Sequence, residues 1–146
     1  MSRTACRLTA LMAALLLVFG VSAGCGTHEK VAQLKGTVTF KGQPVPAGWI
    51  SFMPDSTRGN QGSVVVAQIK DGVYDTILSG AGVVPGPNVI RIAGFDGKVI
   101  PRWAQGKQIF NIHELRETLP EGATAKDFTV PDSAGENVKI EPTADQ

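Results

Sequence analysis

Hydrophobic and polar positions along this chain fall into two regimes. Leu8 to Val21 is one apolar run, Leu-Thr-Ala-Leu-Met-Ala-Ala-Leu-Leu-Leu-Val-Phe-Gly-Val, with no polar face on any helical projection. From Leu34 onward the period drops to two. Leu34, Gly36, Val38 and Phe40 fall on one side of Leu34–Lys41, and Lys35, Thr37, Thr39 and Lys41 on the other. Strict alternation of this kind predicts a half-buried strand. Gly42-Gln43-Pro44 ends it, and Pro46-Ala47-Gly48 continues the turn.

The same logic predicts a string of short strands. Trp49–Met53 is stopped by Pro54, and Asp55–Gly62 reads as a solvated polar loop. Ser63–Lys70 and Val73–Ile77 flank Asp71-Gly72, a strong signal for a two-residue hairpin. Gly80, Gly82, Pro85, Gly86 and Pro87 make a bend, after which Asn88–Gly94 alternates Ile90 and Ile92 inward with Arg91 and Ala93 outward. Lys98–Arg116 has no clean period and reads as a long loop, or a short helix around Ile112–Arg116. Brief strands follow at Glu117–Leu119 and Lys126–Val130, an edge strand is expected at Asn137–Ile140, and residues 141–146 are a frayed tail. Six to eight short strands at even spacing predict an all-β fold, an antiparallel β-sandwich of about seven strands, over residues 34–140. No internal repeat is present.

Composition narrows the function classes. The chain has 146 residues, 17 Gly and 9 Pro, which favours turns over a helical bundle. Its net charge of +1 is too balanced for a nucleic-acid binder, which needs a one-sided excess of Lys and Arg. Two His and two Cys leave little material for zinc.

The apolar run gains meaning from its flanks. Arg3 and Arg7 precede it, and Ser22-Ala23-Gly24 follow it, as in a secretory signal helix. Its 14 residues fall short of the ~20 that a spanning helix needs. A permanent N-terminal membrane anchor, and a buried helix of the folded domain, are the alternatives. Ser22-Ala23-Gly24-Cys25 resembles the lipobox of bacterial lipoproteins, with Ser22 where that family usually has Leu. The resemblance implies cleavage between Gly24 and Cys25 and acylation of the Cys25 thiol. A plain signal peptide, cut after Ala23 or Gly24 and leaving a free thiol, is the rival reading.

On the lipoprotein reading, residues 1–24 are the signal peptide and residues 25–33 a lipidated tether. Losing residues 1–24 leaves 122 of the 146, removes Cys6 along with Arg3 and Arg7, and turns the net charge from +1 to −1. Cys25 is then the last cysteine, so no intrachain disulfide forms and the domain relies on its core. The expected location is the exported face of a membrane. Gly26 stands where an Asp would retain such lipoproteins at the inner membrane, which leans the expectation toward the outer membrane or cell surface.

The domain itself carries a second resemblance. Gly36-Thr37-Val38-Thr39-Phe40-Lys41-Gly42-Gln43-Pro44-Val45-Pro46-Ala47-Gly48, followed by Ile50-Ser51-Phe52, resembles the opening of carboxypeptidase regulatory-like domains, which are transthyretin-like sandwiches. Ile69-Lys70-Asp71-Gly72-Val73-Tyr74, then Pro85-Gly86-Pro87-Asn88-Val89, resembles that family's next hairpin and bend. Phe128-Thr129-Val130-Pro131 resembles its closing strand. The resemblance spans about residues 34–131 and implies an accessory domain without catalytic residues.

The chain offers little chemistry. No Ser stands in a Gly-x-Ser-x-Gly elbow, and His28 and His113 lack an evident nucleophile. Asp55–Asn60 lacks the acidic spacing of a calcium loop, and Arg58 would repel the ion. No phosphate-binding glycine motif occurs. No cofactor and no metal are expected. Trp49, at the start of a strand, is expected to pack in the core. Trp103, with Arg102 and Lys107 nearby, is the one candidate ligand-binding patch. The expected role is therefore non-catalytic: a lipid-anchored envelope domain for structure or protein contact, with a glycan- or peptide-binding module using residues 98–116 as the alternative. The sequence leaves the oligomeric state open.

Overall fold

The computed structural model describes residues 31–80, 82–101 and 103–138. The expected signal helix, the Gly24–Cys25 cleavage site, Arg102 and the 141–146 tail all lie outside these residues. Among these residues nine strands form: β1 Gln33–Phe40, β2 Gln43–Pro44, β3 Ala47–Pro54, β4 Val65–Lys70, β5 Val73–Asp75, β6 Gly86–Phe95, β7 His113–Leu119, β8 Ala123–Ala125 and β9 Phe128–Val130. Short 3-10 turns stand at Ser56–Arg58, Ile77–Ser79 and Asp132–Gly135. The fold is all-β and mostly antiparallel, curled into a half-barrel.

Strands run in the order β2-β1-β5-β4-β3-β6-β7, with β8 and β9 on the far side of β1. The two-residue Asp71-Gly72 turn joins β4 to β5 as its sequence requires, with φ of 51° at Asp71 and 77° at Gly72. Both central residues are left-handed, so the turn twists in the same sense as the strands it joins. Lys41-Gly42 repeats the conformation between β1 and β2, with φ of 51° and 72°. That turn was expected only to end a strand.

Four expectations about the strands are corrected. The pairing is not wholly antiparallel, because β8 and β9 both run parallel to β1, through Leu34↔Thr124 and Val38↔Phe128. The strand expected at Val73–Ile77 stops at Asp75, whose carboxylate accepts the Ile77 N–H (2.8 Å) and bends the chain into the 3-10 turn. Residues 113–116 are neither loop nor helix. They open β7, which pairs with β6 from Ile92↔His113 to Gly86↔Leu119. Asn137 and Val138 form no strand; Asn137 has φ of 51°, and residues 139–140 lie outside the described ones.

The core fills the concave side of the curl. Leu34, Val38, Ile50, Phe52, Ile90, Ile92 and Phe110 are each fully buried there. Phe128 of β9 lies 6.3 Å from Phe52 of β3, although three strands separate β9 from β3 along the sheet. The curl therefore brings its two halves into contact across the core. Tyr74 sits among these rings, 5.9 Å from both Phe52 and Phe128, and donates its hydroxyl hydrogen to the Lys126 carbonyl (2.8 Å). Burial, and then the charges of Asp127 and Glu117, push the Tyr74 phenol above its ordinary value.

Trp49 does not join this core. It alternates with buried Gly48 and Ile50, which turns it to the outer face between Gln68 of β4 and Ala93 of β6, where it is half-buried. The period of two decides this: once Ile50 and Phe52 point inward, Trp49 cannot.

Candidate functional site

Trp103 and Lys107 lie in a long excursion between β6 and β7, at the end of the sheet that also holds the β1–β2 and β4–β5 turns. This segment is not structureless. Its backbone continues the antiparallel pairing beyond Phe95, with Asp96 N–H donating to the Lys107 carbonyl (2.9 Å) and Gly97 N–H to that of Gln105 (3.0 Å). At the tip, Trp103 N–H donates to the Ile100 carbonyl (2.9 Å) and Ile100 N–H to that of Trp103 (3.3 Å). The result is an extended hairpin over residues 95–110.

One carboxylate organises its middle. Asp96 Oδ1 accepts the N–H of Lys98 (3.0 Å) and that of Lys107 (2.9 Å). These contacts hold the Asp96 carboxyl below its ordinary value: the Lys98 N–H contributes most, partial burial opposes it, and the Lys107 N–H and both lysine charges assist. Asp96 is thus an ionised brace rather than a proton donor. Gly106 is required opposite it. Its φ is 85°, and a Cβ there would collide with Asp96 Oδ1.

The base of the hairpin is tied to the core. Phe110 is fully buried, and its ring lies 4.9 Å from that of Phe40. A Cβ on Gly94 would strike the Phe110 ring, so that glycine leaves the room the ring occupies. Beyond Phe110, Asn111 N–H donates to the Ala134 carbonyl (2.8 Å), tying the segment to the 132–135 turn.

What the tip presents is amphipathic. Trp103 is half-buried, Val99 is 76% exposed and Ile100 is 37% exposed, with the exposed Lys98 and Lys107 behind them. An indole beside exposed aliphatic side chains and cations combines apolar surface with positive charge. Trp103 and Lys107, singled out by residue type, both lie in this hairpin, together with Lys98, Val99 and Ile100 of the 98–116 segment and with Asp96, which that segment does not include. Asp96-Gly97 has the composition of a turn, but the backbone pairing runs through both residues to a tip between Ile100 and Trp103. His113 stands apart, half-buried at the start of β7 opposite Ile92, and burial lowers its pKa. Among the described residues no cluster of three His, Cys, Asp or Glu is placed to hold a metal ion.

A polar network lies on the other end of the sheet and along β7. Asp55, expected to be solvated, is 3% exposed. Its carboxylate accepts from Thr57 Oγ1 (2.5 Å), from Thr57 N–H (3.1 Å) and from Arg116 Nη1 (2.8 Å). The Thr57 hydroxyl and the Arg116 guanidinium hold the Asp55 carboxyl low against the opposing effect of burial. Arg91 Nε meets Glu114 Oε2 at 2.9 Å across β6 and β7. Every member of this network has a partner that braces the sheet, so it reads as structural. No family model matches the chain, and no curated protein matches it in sequence.

Proposed function

We propose that this chain is an exported, lipid-anchored envelope protein whose β-rich domain is non-catalytic and serves structure or protein contact. The carrying observation is the order of residues at the N-terminus: Arg3 and Arg7, the Leu8–Val21 run, then Ser22-Ala23-Gly24-Cys25. Each acyl CH₂ buried in the bilayer contributes ~0.8 kcal/mol, and several chains on Cys25 hold the domain at the membrane without a spanning helix. Among the described residues no helix is long and apolar enough to cross a membrane. The outer membrane or cell surface is the proposed location, from Gly26 after Cys25.

For the domain we read a transthyretin-like sandwich. The approach of Phe128 to Phe52 supports it, since the β9–β1 side of the curl then lies over the β3 side as a second layer. The second functional reading, a glycan- or peptide-binding module, is favoured by one feature: the Trp103 hairpin tip with Val99 and Ile100 exposed. Fractionating cells that express the wild type and Cys25→Ser tests the first reading. The wild type is expected in membranes, and the variant in the soluble fraction or as uncleaved precursor. Equal partitioning of the two mature proteins contradicts it.

A further inference from the structure

The excursion from Thr76 to Val83 has both feet on the first residues of the domain. Thr76 N–H donates to the Leu34 carbonyl (2.9 Å), and Leu34 N–H to Thr76 Oγ1 (2.9 Å). Val83 and Ala32 exchange both hydrogen bonds, at 2.7 and 2.8 Å. Val31 packs on Gly82 so closely that a Cβ there would collide with it. Between the feet, the 3-10 turn lifts its apolar residues off the fold. Leu78 is 87% exposed, Ile77 51% and Val31 49%. Leu78 also flanks a shallow groove of about 460 Å³ on the outer face, lined by Val66 of β4 and Val73 of β5. Aliphatic side chains so exposed have no role in the core, and they gather at one corner.

That corner is where the chain arrives from Cys25. Five residues lie between Cys25 and Val31, six steps along the chain, a reach of at most ~20 Å when fully extended. Resting on the anchoring proposed above, we infer that the Val31–Ile77–Leu78 corner, with the Val66 end of the groove beside it, docks on the surface of the bilayer that holds Cys25. The tether keeps this corner next to the lipid headgroups at all times, so weak partitioning suffices for contact. Lys35, paired with Asp75 at the corner's end of the sheet, supplies the ammonium group that meets a lipid phosphate, beside the Asp75 carboxylate that lines the groove. The Trp103 hairpin stands at the opposite end of the sheet. Docking through Leu78 therefore turns that hairpin away from the membrane, toward whatever the domain meets.

The test uses the full chain, processed and acylated in cells, in vesicles of phosphatidylethanolamine and phosphatidylglycerol. With Cys25 acylated and Cys6 removed with the signal, a Leu78→Cys variant offers one thiol for an environment-sensitive fluorophore. A Lys98→Cys variant labels the far end. Quenching of the label at position 78, but not at 98, by phospholipids carrying a doxyl group near the head is expected. With the label moved to Ile77→Cys, adding Leu78→Ser should lower the docked-to-undocked ratio roughly 10-fold or more, the weight of one buried leucine side chain. Circular dichroism checks that these exposed substitutions leave the fold intact. Vesicle-bound protein with both labels in water overturns the docking and leaves the anchoring standing. Protein that stays off the vesicles with Cys25 reactive overturns both. Shielding at position 78 that grows with protein density and survives in detergent assigns the corner to a second copy, and refutes the lipid contact.

Discussion

Phe110→Ala removes the side chain that seats the Trp103 hairpin on the core. Phe110 is fully buried, its ring lies 4.9 Å from Phe40, and Gly94 backs it with no Cβ of its own. β6 and β1, which carry Gly94 and Phe40, are held in their ladders and resist closing on the vacated space. Truncating a buried phenylalanine costs about 3–5 kcal/mol once the remaining cavity is included. Set against a typical total of about 5–15 kcal/mol, that is a large fraction of the stability. Urea unfolding followed by circular dichroism should show the midpoint falling with the slope unchanged. Hydrogen exchange should report faster exchange at the Ile109 and Asn111 amides, whose acceptors are the Gly94 and Ala134 carbonyls. A loss below about 1 kcal/mol, the scale of an ordinary surface change, would refute the packing argument. Normal protection at Ile109 and Asn111 would refute the claim that Phe110 seats the hairpin.

Further consequences follow from the polar groups. Arg116→Ala strips the buried Asp55 carboxylate of its cation, so the melting temperature should drop; an unchanged value would show that Thr57 alone suffices. Asp55, Asp96 and Asp127 all have carboxyls held below the ordinary 3.8. Their contributions to stability are complete above that value and are lost as pH falls through the lower folded-state values, so acid titration should show stability declining below about pH 4, and flat stability there would contradict the assignments. Tyr74, the single tyrosine, should ionise well above its ordinary 10.0 in an ultraviolet titration, with its contribution lost only as the pH rises past that value. Tyr74→Phe gives up the bond to the Lys126 carbonyl and should cost ~1 kcal/mol in urea unfolding; a neutral result would mean that water replaces the hydroxyl.

Where local pattern and final position agree, the fold was readable from sequence. The alternation of Leu34–Lys41 is β1, and Asp71-Gly72 is the β4–β5 turn, because both depend on neighbours a few residues away. Of His113–Leu119, only Glu117–Leu119 was legible as a strand, and His113–Arg116 failed as a strand signal. Its Glu, Leu and Arg are good helix formers, and its alternation acquires meaning only beside β6, where Arg91 meets Glu114. The parallel pairing of β8 and β9 on β1 joins residues some ninety positions apart, beyond any local signal. Asp55 is buried by Arg116, 61 residues away, so its six-residue surroundings read as solvent-facing. At the candidate site, Trp103 and Lys107 stood out by residue type. Asp96 did not, because its role is made by two backbone N–H groups that only the returning hairpin supplies.

Mass spectrometry of the N-terminal peptide of the mature wild-type protein, extracted from membranes, tests the anchoring most directly. The peptide should begin at Cys25 and carry a diacylglyceryl thioether with an acylated amine. A peptide whose Cys25 thiol is unmodified, or a mature chain that still retains the Leu8–Val21 run, would contradict it.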